Sequence, residues 1–356
     1  MKELKEKIEQ LLLKTQKPSR YIGGELGSIV KDKSKVDVRF AFCFPDVYDV
    51  GMSHLGMKIL YGLKNSVENY WCERVFMPEK DFEKLMREND IPLYALESLD
   101  PLTEFDFIGF TLQYELSYTN VLAMLDLAGI PVKAKDRKDL TPIVIGGGPC
   151  VCNPEPLADF FDLFVIGEGE EVNLEIMRLY EKMKPDNPTK QEFLQQAAKI
   201  EGVYVPSFYD VDYNDDGTVK AITPNNDSAP EKVKKRIIKD FDKVYYPDSF
   251  VVPFTSIVHD RAVVEVLRGC IRGCRFCQAG FIYRPFREKN IDTIKEQTKC
   301  LCEQTGYEEV SLSSLSTSDY TKLGELTDGL LDITVPQHVS LALPSLRIDS
   351  FSLDLM

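Results

Sequence analysis

Between residues 36 and 200, short apolar runs alternate with amphipathic stretches, and that alternation leaves few folds open to the chain. The runs VDVRFAFCF (36–44), WCERVFM (71–77), FDFIGFTL (105–112), TPIVIGGG (141–148) and FDLFVIG (161–167) have the length of strands. The stretches 56–67, 79–89, 117–129 and 171–183 place apolar residues at helical spacing. Strand-length runs separated by segments of 3.6-residue period predict βαβ units, hence a parallel sheet. Residues 1–200 are therefore expected to form one doubly wound α/β domain.

Residues 201–258 have a different texture. Two β-type runs flank Asn214-Asp215-Asp216-Gly217, a strong signal for a hairpin turn. A basic run, KVKKRIIKD (232–240), and a segment rich in Pro and Tyr follow, so this region is expected to be a connector. The βα pattern resumes over 259–356, with strands at 261–269, 308–316 and 338–346 and helices at 291–306 and 318–332. This is the first part of a βα barrel. Three barrel strands leave an unpaired edge, a liability that natural domains cover, so the chain is expected to be a piece of a longer protein.

The 356 residues suffice for two cores. With 44% hydrophobic and 28% charged residues, they read as a globular chain. No apolar run approaches the roughly 20 residues of a membrane span. The opening residues 1–20 mix charged and apolar side chains without the core of a signal peptide, so a cytoplasmic location is expected. A net charge of −14 argues against general affinity for nucleic acid. The run 232–240 is the local exception, read as a solvated face before an RNA contact.

Nine cysteines in such a chain should be reduced thiols or ligands. Cys43, Cys72, Cys150, Cys152, Cys300 and Cys302 are scattered and are expected to pack as small hydrophobes. Cys270, Cys274 and Cys277 are not scattered: they sit in LRGCIRGCRFCQAGF, just after a predicted strand. The loops at the C-terminal ends of barrel strands are where βα barrels build active sites. Three thiolates can hold three irons of a [4Fe–4S] cluster and leave the fourth iron open for chemistry. Gly273 would let the backbone curl, and Phe276 would shield the cluster. The alternative is a non-catalytic zinc or iron–sulfur module with His259, Cys300 or Cys302 as fourth ligand, but structural zinc usually joins two cysteine knuckles and the sequence has one.

The spacing Cys270-x3-Cys274-x2-Cys277, with an aromatic residue before the last cysteine, resembles the radical S-adenosylmethionine (SAM) superfamily. The resemblance implies that the open iron binds SAM and that a reductant such as flavodoxin or ferredoxin supplies the electron that cleaves it. Where family members carry a Gly-Gly-Glu-like segment after the second barrel strand, this chain has Ser313 and Ser314. Arg347, or Arg284 and Arg287, would pair with the SAM carboxylate. Gly23-Gly24-Glu25 lies far from the barrel and is discounted.

An α/β domain ahead of such a barrel resembles the cobalamin-binding domain of the B12-dependent branch. Asp49, His54 and Gly56 echo its Asp-x-His-x-x-Gly loop with altered spacing, and Thr111-Leu112 stands in place of Ser-x-Leu. Gly146-Gly147-Gly148 matches the glycines that admit the corrin tail, and Gly167-Glu168-Gly169-Glu170-Glu171 recurs in these proteins, most simply as a helix cap. Together these motifs resemble the B12-binding radical SAM proteins. The reactions implied are SAM-initiated hydrogen abstraction and, with cobalamin through His54, Thr111, Gly146 and Gly147, methyl transfer. An RNA-modifying enzyme of the methylthiotransferase type is the second enzymatic reading.

Overall fold

A computed structural model describes residues 2–350. Contacts divide the chain into two compact units, Met1–Ile237 and Ile238–Met356.

After helix α1 (Lys2–Leu12), the first unit runs β1 (Val38–Phe44), α2 (Tyr48–Gly51), α3 (Leu55–Asn65), β2 (Tyr70–Phe76), α4 (Lys80–Glu88), β3 (Phe107–Thr111), α5 (Tyr118–Leu127), β4 (Ile143–Gly147), β5 (Leu163–Val165), α6 (Gly169–Met183), α7 (Lys190–Ala197) and β6 (Val203–Tyr204). The sheet order is β2-β1-β3-β4-β5-β6, parallel except for β6 against β5. All five strands expected from the apolar runs form, and nearly every residue in them is buried. That continuity marks a sheet covered on both faces. Side chains such as Phe40, Phe107 and Val144 each contribute about 1.5–3 kcal/mol by leaving water.

Charges also enter this core. Arg74, 2% exposed, donates from Nε to Glu97 at 2.6 Å and from Nη2 to Glu25 at 2.7 Å. Tyr48 donates to the same Glu25 at 2.8 Å. Gly23, at φ +63°, leaves no room for a Cβ, which would stand 2.0 Å from the Leu96 carbonyl. The Gly-Gly-Glu tripeptide is thus a structural turn delivering Glu25 to Arg74.

The boundary after residue 200 differs from expectation. The sheet continues to Tyr204 and the first unit to Ile237, because Val203–Tyr204 closes the free edge of β5. The hairpin is present as β7 (Tyr209–Tyr213) and β8 (Val219–Pro224), with Gly217 donating back to Asn214 at 2.9 Å. The basic run is solvated at Lys232, Lys234 and Lys239, but Arg236 within it is not. Arg236 bridges to Gly167 beyond the end of β5 and pairs with Glu171 and Glu175 of α6 at 2.6 and 2.7 Å. A Cβ on Gly167 would stand 2.2 Å from the Arg236 carbonyl. The motif opens α6 as expected, with Glu170 and Glu171 in the first turn; Glu168, at the N-cap, makes no side-chain cap bond, and Glu171 also pairs with Arg236.

The second unit runs β9 (Ala262–Glu265), β10 (Leu267–Arg268), α8 (Ala279–Ile282), β11 (Arg287–Glu288), α9 (Ile291–Thr305), β12 (Glu309–Ser313), α10 (Leu323–Thr334) and β13 (Ser340–Ala342). Strands β9, β12 and β13 form a parallel sheet in the order β13-β12-β9, the βαβ repeat expected of a barrel's opening. Asn290 caps α9 by accepting from Asp292 N at 3.0 Å, and Gly306 ends it at φ +68°. The run 261–269, read as one strand, breaks at Val266: β10 turns aside to pair antiparallel with β11. Residues 269–286 thereby become an excursion closed by a two-residue ladder. Among the described residues no helix is long and apolar enough to cross a membrane.

Candidate metal centre

The excursion carries Cys270, Cys274 and Cys277, all half-buried and none in a disulfide. Its shape is set by glycine. Gly269 takes φ +86°, and a Cβ there would lie 2.7 Å from the Pro285 carbonyl and 2.8 Å from that of Tyr283. Only glycine admits the returning backbone at that point. Gly273, at φ +62°, makes the curl expected between the first two cysteines. Cys277 N donates to the Cys274 carbonyl at 3.0 Å. This turn throws Phe276 outward, 92% exposed, so the shielding role expected of it is not seen. Among the described residues no three His, Cys, Asp or Glu side chains are gathered to hold a metal ion, the three thiols included. The donor set nevertheless fits a cluster: three thiols on one short, glycine-turned loop at strand ends, with arginine at 272, 275 and 284 beside them.

Ser313 ends β12, opposite Glu265 of β9, and its carbonyl accepts from Val266 N at 3.1 Å. Ser314 shares a hydrogen bond with Thr317 at 2.8 Å. Arg347 lies beyond β13, donates from its backbone N to Ser318 Oγ at 3.2 Å and pairs with Asp349 at 2.7 Å. Its charge is within range of Cys274 and Arg272. The structure therefore brings the cysteines, Ser313, Ser314 and Arg347 to one end of one sheet. It does not bring in Arg287, whose guanidinium donates to the Ile238 carbonyl at 2.6 Å; Arg284 stays beside the cysteine loop, its Nε donating to the Gly280 carbonyl at 2.6 Å. His259 meets Arg261 at 2.9 Å, and Cys300 and Cys302 belong to α9. Of the six other cysteines, Cys43, Cys72 and Cys302 are buried as expected, Cys150 and Cys300 are half-buried, and Cys152 is exposed.

One contact had no signal in the sequence. Arg272, between Cys270 and Cys274, forks onto Asp319, with Nε 3.0 and 2.8 Å from the two carboxylate oxygens and Nη2 on Oδ1. The Asp319 side chain is 3% exposed. Arg272 beside it holds its carboxyl below the usual range, against a smaller upward push from burial.

In the first unit the sheet order reverses between β1 and β3, the crevice where open α/β sheets bind ligands. His54 follows β1 as the N-cap of α3, its Nδ1 accepting from Met57 N at 3.2 Å. Gln113 hydrogen-bonds the His54 side chain and donates from Nε2 to Thr111 Oγ1 at 2.7 Å. Burial pushes the His54 pKa down to about 4, although part of the residue still meets solvent. His54 is thus a neutral cap with Nδ1 already engaged, and Asp49 faces Arg20 and Lys17 at 2.6 and 3.1 Å. The three glycines at the end of β4 differ. A Cβ on Gly146 would lie 2.4 Å from Phe164 and one on Gly148 2.6 Å from the Leu112 carbonyl, whereas one on Gly147 meets nothing within 4 Å.

Residues 264–355 match the sequence profile of the radical SAM superfamily, and residues 56–206 that of the N-terminal region of radical SAM proteins. The chain belongs to the radical SAM superfamily. An uncharacterized protein of Methanocaldococcus jannaschii is 30% identical over 321 residues, covering 89% of this chain and 57% of that protein. The chain spans a little over half the length of this curated relative. Among solved structures, the radical SAM methyltransferase TsrM of Kitasatospora setae, with cobalamin and a [4Fe–4S] cluster bound, matches with a TM-score of 0.54. Identity is 13%, over 85% of this chain and 55% of that one, a likeness of fold.

Proposed function

We propose that the chain holds a [4Fe–4S] cluster through Cys270, Cys274 and Cys277, binds SAM beside them and initiates radical chemistry. The observation that carries this reading is the set of three thiols on one loop at the C-terminal end of a parallel sheet, within the stretch that matches the superfamily. Bound and reduced, such a cluster supplies the electron for reductive cleavage of SAM. Ser313 and Ser314 offer backbone and hydroxyl groups to the SAM amino group from the neighbouring strand end. Arg347 offers its guanidinium to the carboxylate, exchanging Asp349 for it. The arginines of the cysteine loop suit an acidic reductant of the flavodoxin or ferredoxin class.

A second cofactor, cobalamin, fits the first unit in one form. The space beside Gly147, at the C-terminal end of β4 next to β3, suits close approach of a ligand to the backbone, while His54, with Nδ1 engaged by Met57 N, would offer cobalt only Nε2. TsrM, a cobalamin-bound methyltransferase of similar fold, makes methyl transfer the reaction class we favour. The RNA-modifying alternative is weakened at one position of the basic run, since Arg236 is committed to Glu171 and Glu175.

The test is anaerobic reconstitution followed by incubation with SAM and dithionite. Wild type should release 5′-deoxyadenosine and Cys274→Ala none. Iron-loaded wild type that leaves SAM intact would refute the enzymatic reading.

A further inference from the structure

The cysteine excursion has little packing of its own, yet one short segment holds both the strand that closes it and a side chain within it. Thr317–Asp319 is a single 3-10 turn between β12 and α10, followed by Tyr320 and Thr321. Tyr320 Oη donates to the Lys289 carbonyl at 2.8 Å, and Thr321 donates from N and Oγ1 to Glu288 at 2.6 and 2.9 Å. These bonds grip the ladder that closes the excursion. Asp319 takes Arg272, near the start of the excursion, in the two-pronged contact described above. Ser318 Oγ accepts from Arg347 N, tying the loop after the third strand to the same turn. Five consecutive residues thus fasten the loops that leave all three parallel strands.

We propose that this segment is the keystone of the metal centre, with Asp319 and Arg272 as its positioning pair, setting the pitch of the backbone between the first two cysteines. The proposal rests on the cluster-binding reading for its consequence and on the geometry alone for its mechanical part. A bidentate guanidinium–carboxylate contact constrains angle as well as distance. With its carboxylate almost wholly enclosed, Asp319 cannot follow Arg272 outward, so the arginine is held and with it residues 270–274. Arg272 and Asp319 touch no substrate in this account; they act through the thiols.

The experiment compares wild type, Asp319→Asn, Arg272→Lys and Cys274→Ala in the full chain, each first checked for an unchanged unfolding midpoint. Before iron is added, tryptic cleavage within the excursion, after Arg275, reports how firmly the loop is held. Asp319→Asn should be cut about fivefold faster than wild type, because cleavage follows the population of the open loop. After anaerobic reconstitution, Asp319→Asn should hold about threefold less iron and sulfide, as losses of supporting contacts around metal ligands do. Arg272→Lys keeps the charge without the fork and should fall between. The electron paramagnetic resonance line of the iron that remains should broaden in Asp319→Asn, which a purely global loss of stability would not produce. Wild-type cleavage rates in Asp319→Asn would overturn the proposal. So would normal iron content and line shape in that variant. If wild type itself binds no iron and matches Cys274→Ala, the cluster reading fails, and the proteolysis result alone decides whether the turn holds the loop.

Discussion

The two units use buried charge in opposite ways. In the first, Arg74, Glu25 and Glu97 lie inside a sheet covered on both faces, and every oxygen and nitrogen of the network is turned toward another part of the same core. In the second, the buried Asp319 reaches out to an arginine on an exposed loop carrying three half-buried thiols and a fully exposed phenylalanine. One arrangement locks a scaffold, and the other holds an exposed loop in place with minimal packing. The difference teaches where to look for chemistry: at strand ends where charge compensates for missing core.

The comparison breaks most visibly at Arg74. Replacing it with Met strands two carboxylates in the core, so unfolding by denaturant should show a loss of about 3–5 kcal/mol. A loss under about 1 kcal/mol would mean that the network is dispensable.

Lys64 tests the same core from the other direction. Its Nζ lies 4.5 and 4.7 Å from the rings of Phe40 and Phe42 and makes no hydrogen bond among the described residues. Burial lowers its pKa to about 8, partly opposed by Cys72 and Glu170. Because the unfolded chain keeps the ordinary lysine value, it binds more protons between about pH 8 and 10.5, and stability should rise with pH across that window. Lys64→Met should gain about 1–3 kcal/mol at pH 7 and abolish the rise. A flat wild-type profile would show that the amine finds water.

The adjacent glycines that end β4 sharpen the contrast between packing and function. Gly146→Ala must displace Phe164 and should cost about 1–3 kcal/mol. Gly147→Ala enters open space and should change stability by less than about 1 kcal/mol, yet weaken cobalamin retention measured by absorbance after desalting. Equal stability losses at the two positions would remove the argument for a ligand beside Gly147.

The doubly wound sheet could be read from the sequence because parallel strands buried on both faces are written as unbroken apolar runs. The cysteine motif could be read because its three ligands are local. What escaped was short or distant. Val203–Tyr204 is two residues long and antiparallel, too brief for any periodicity, and it carried the first unit past residue 200. Arg236 looked like part of a solvated basic run because its partners lie 65 and 61 residues earlier. Arg272 and Asp319 are 47 residues apart and sit in no repeating pattern. The place of Phe276 between two cysteines suggests a shielding role, but the Cys274–Cys277 turn decides its direction. His54 was recognisable as a special residue; whether it capped a helix or faced a ligand depended on Met57 N and Gln113, which spacing does not reveal.

The central claim, an iron left open by three cysteines, is met most directly by low-temperature electron paramagnetic resonance of the reconstituted, dithionite-reduced protein with and without SAM. The account predicts a [4Fe–4S]⁺ signal that shifts when SAM is added and is absent in Cys274→Ala. A cluster signal indifferent to SAM, or a protein that takes up zinc and no iron, would contradict it.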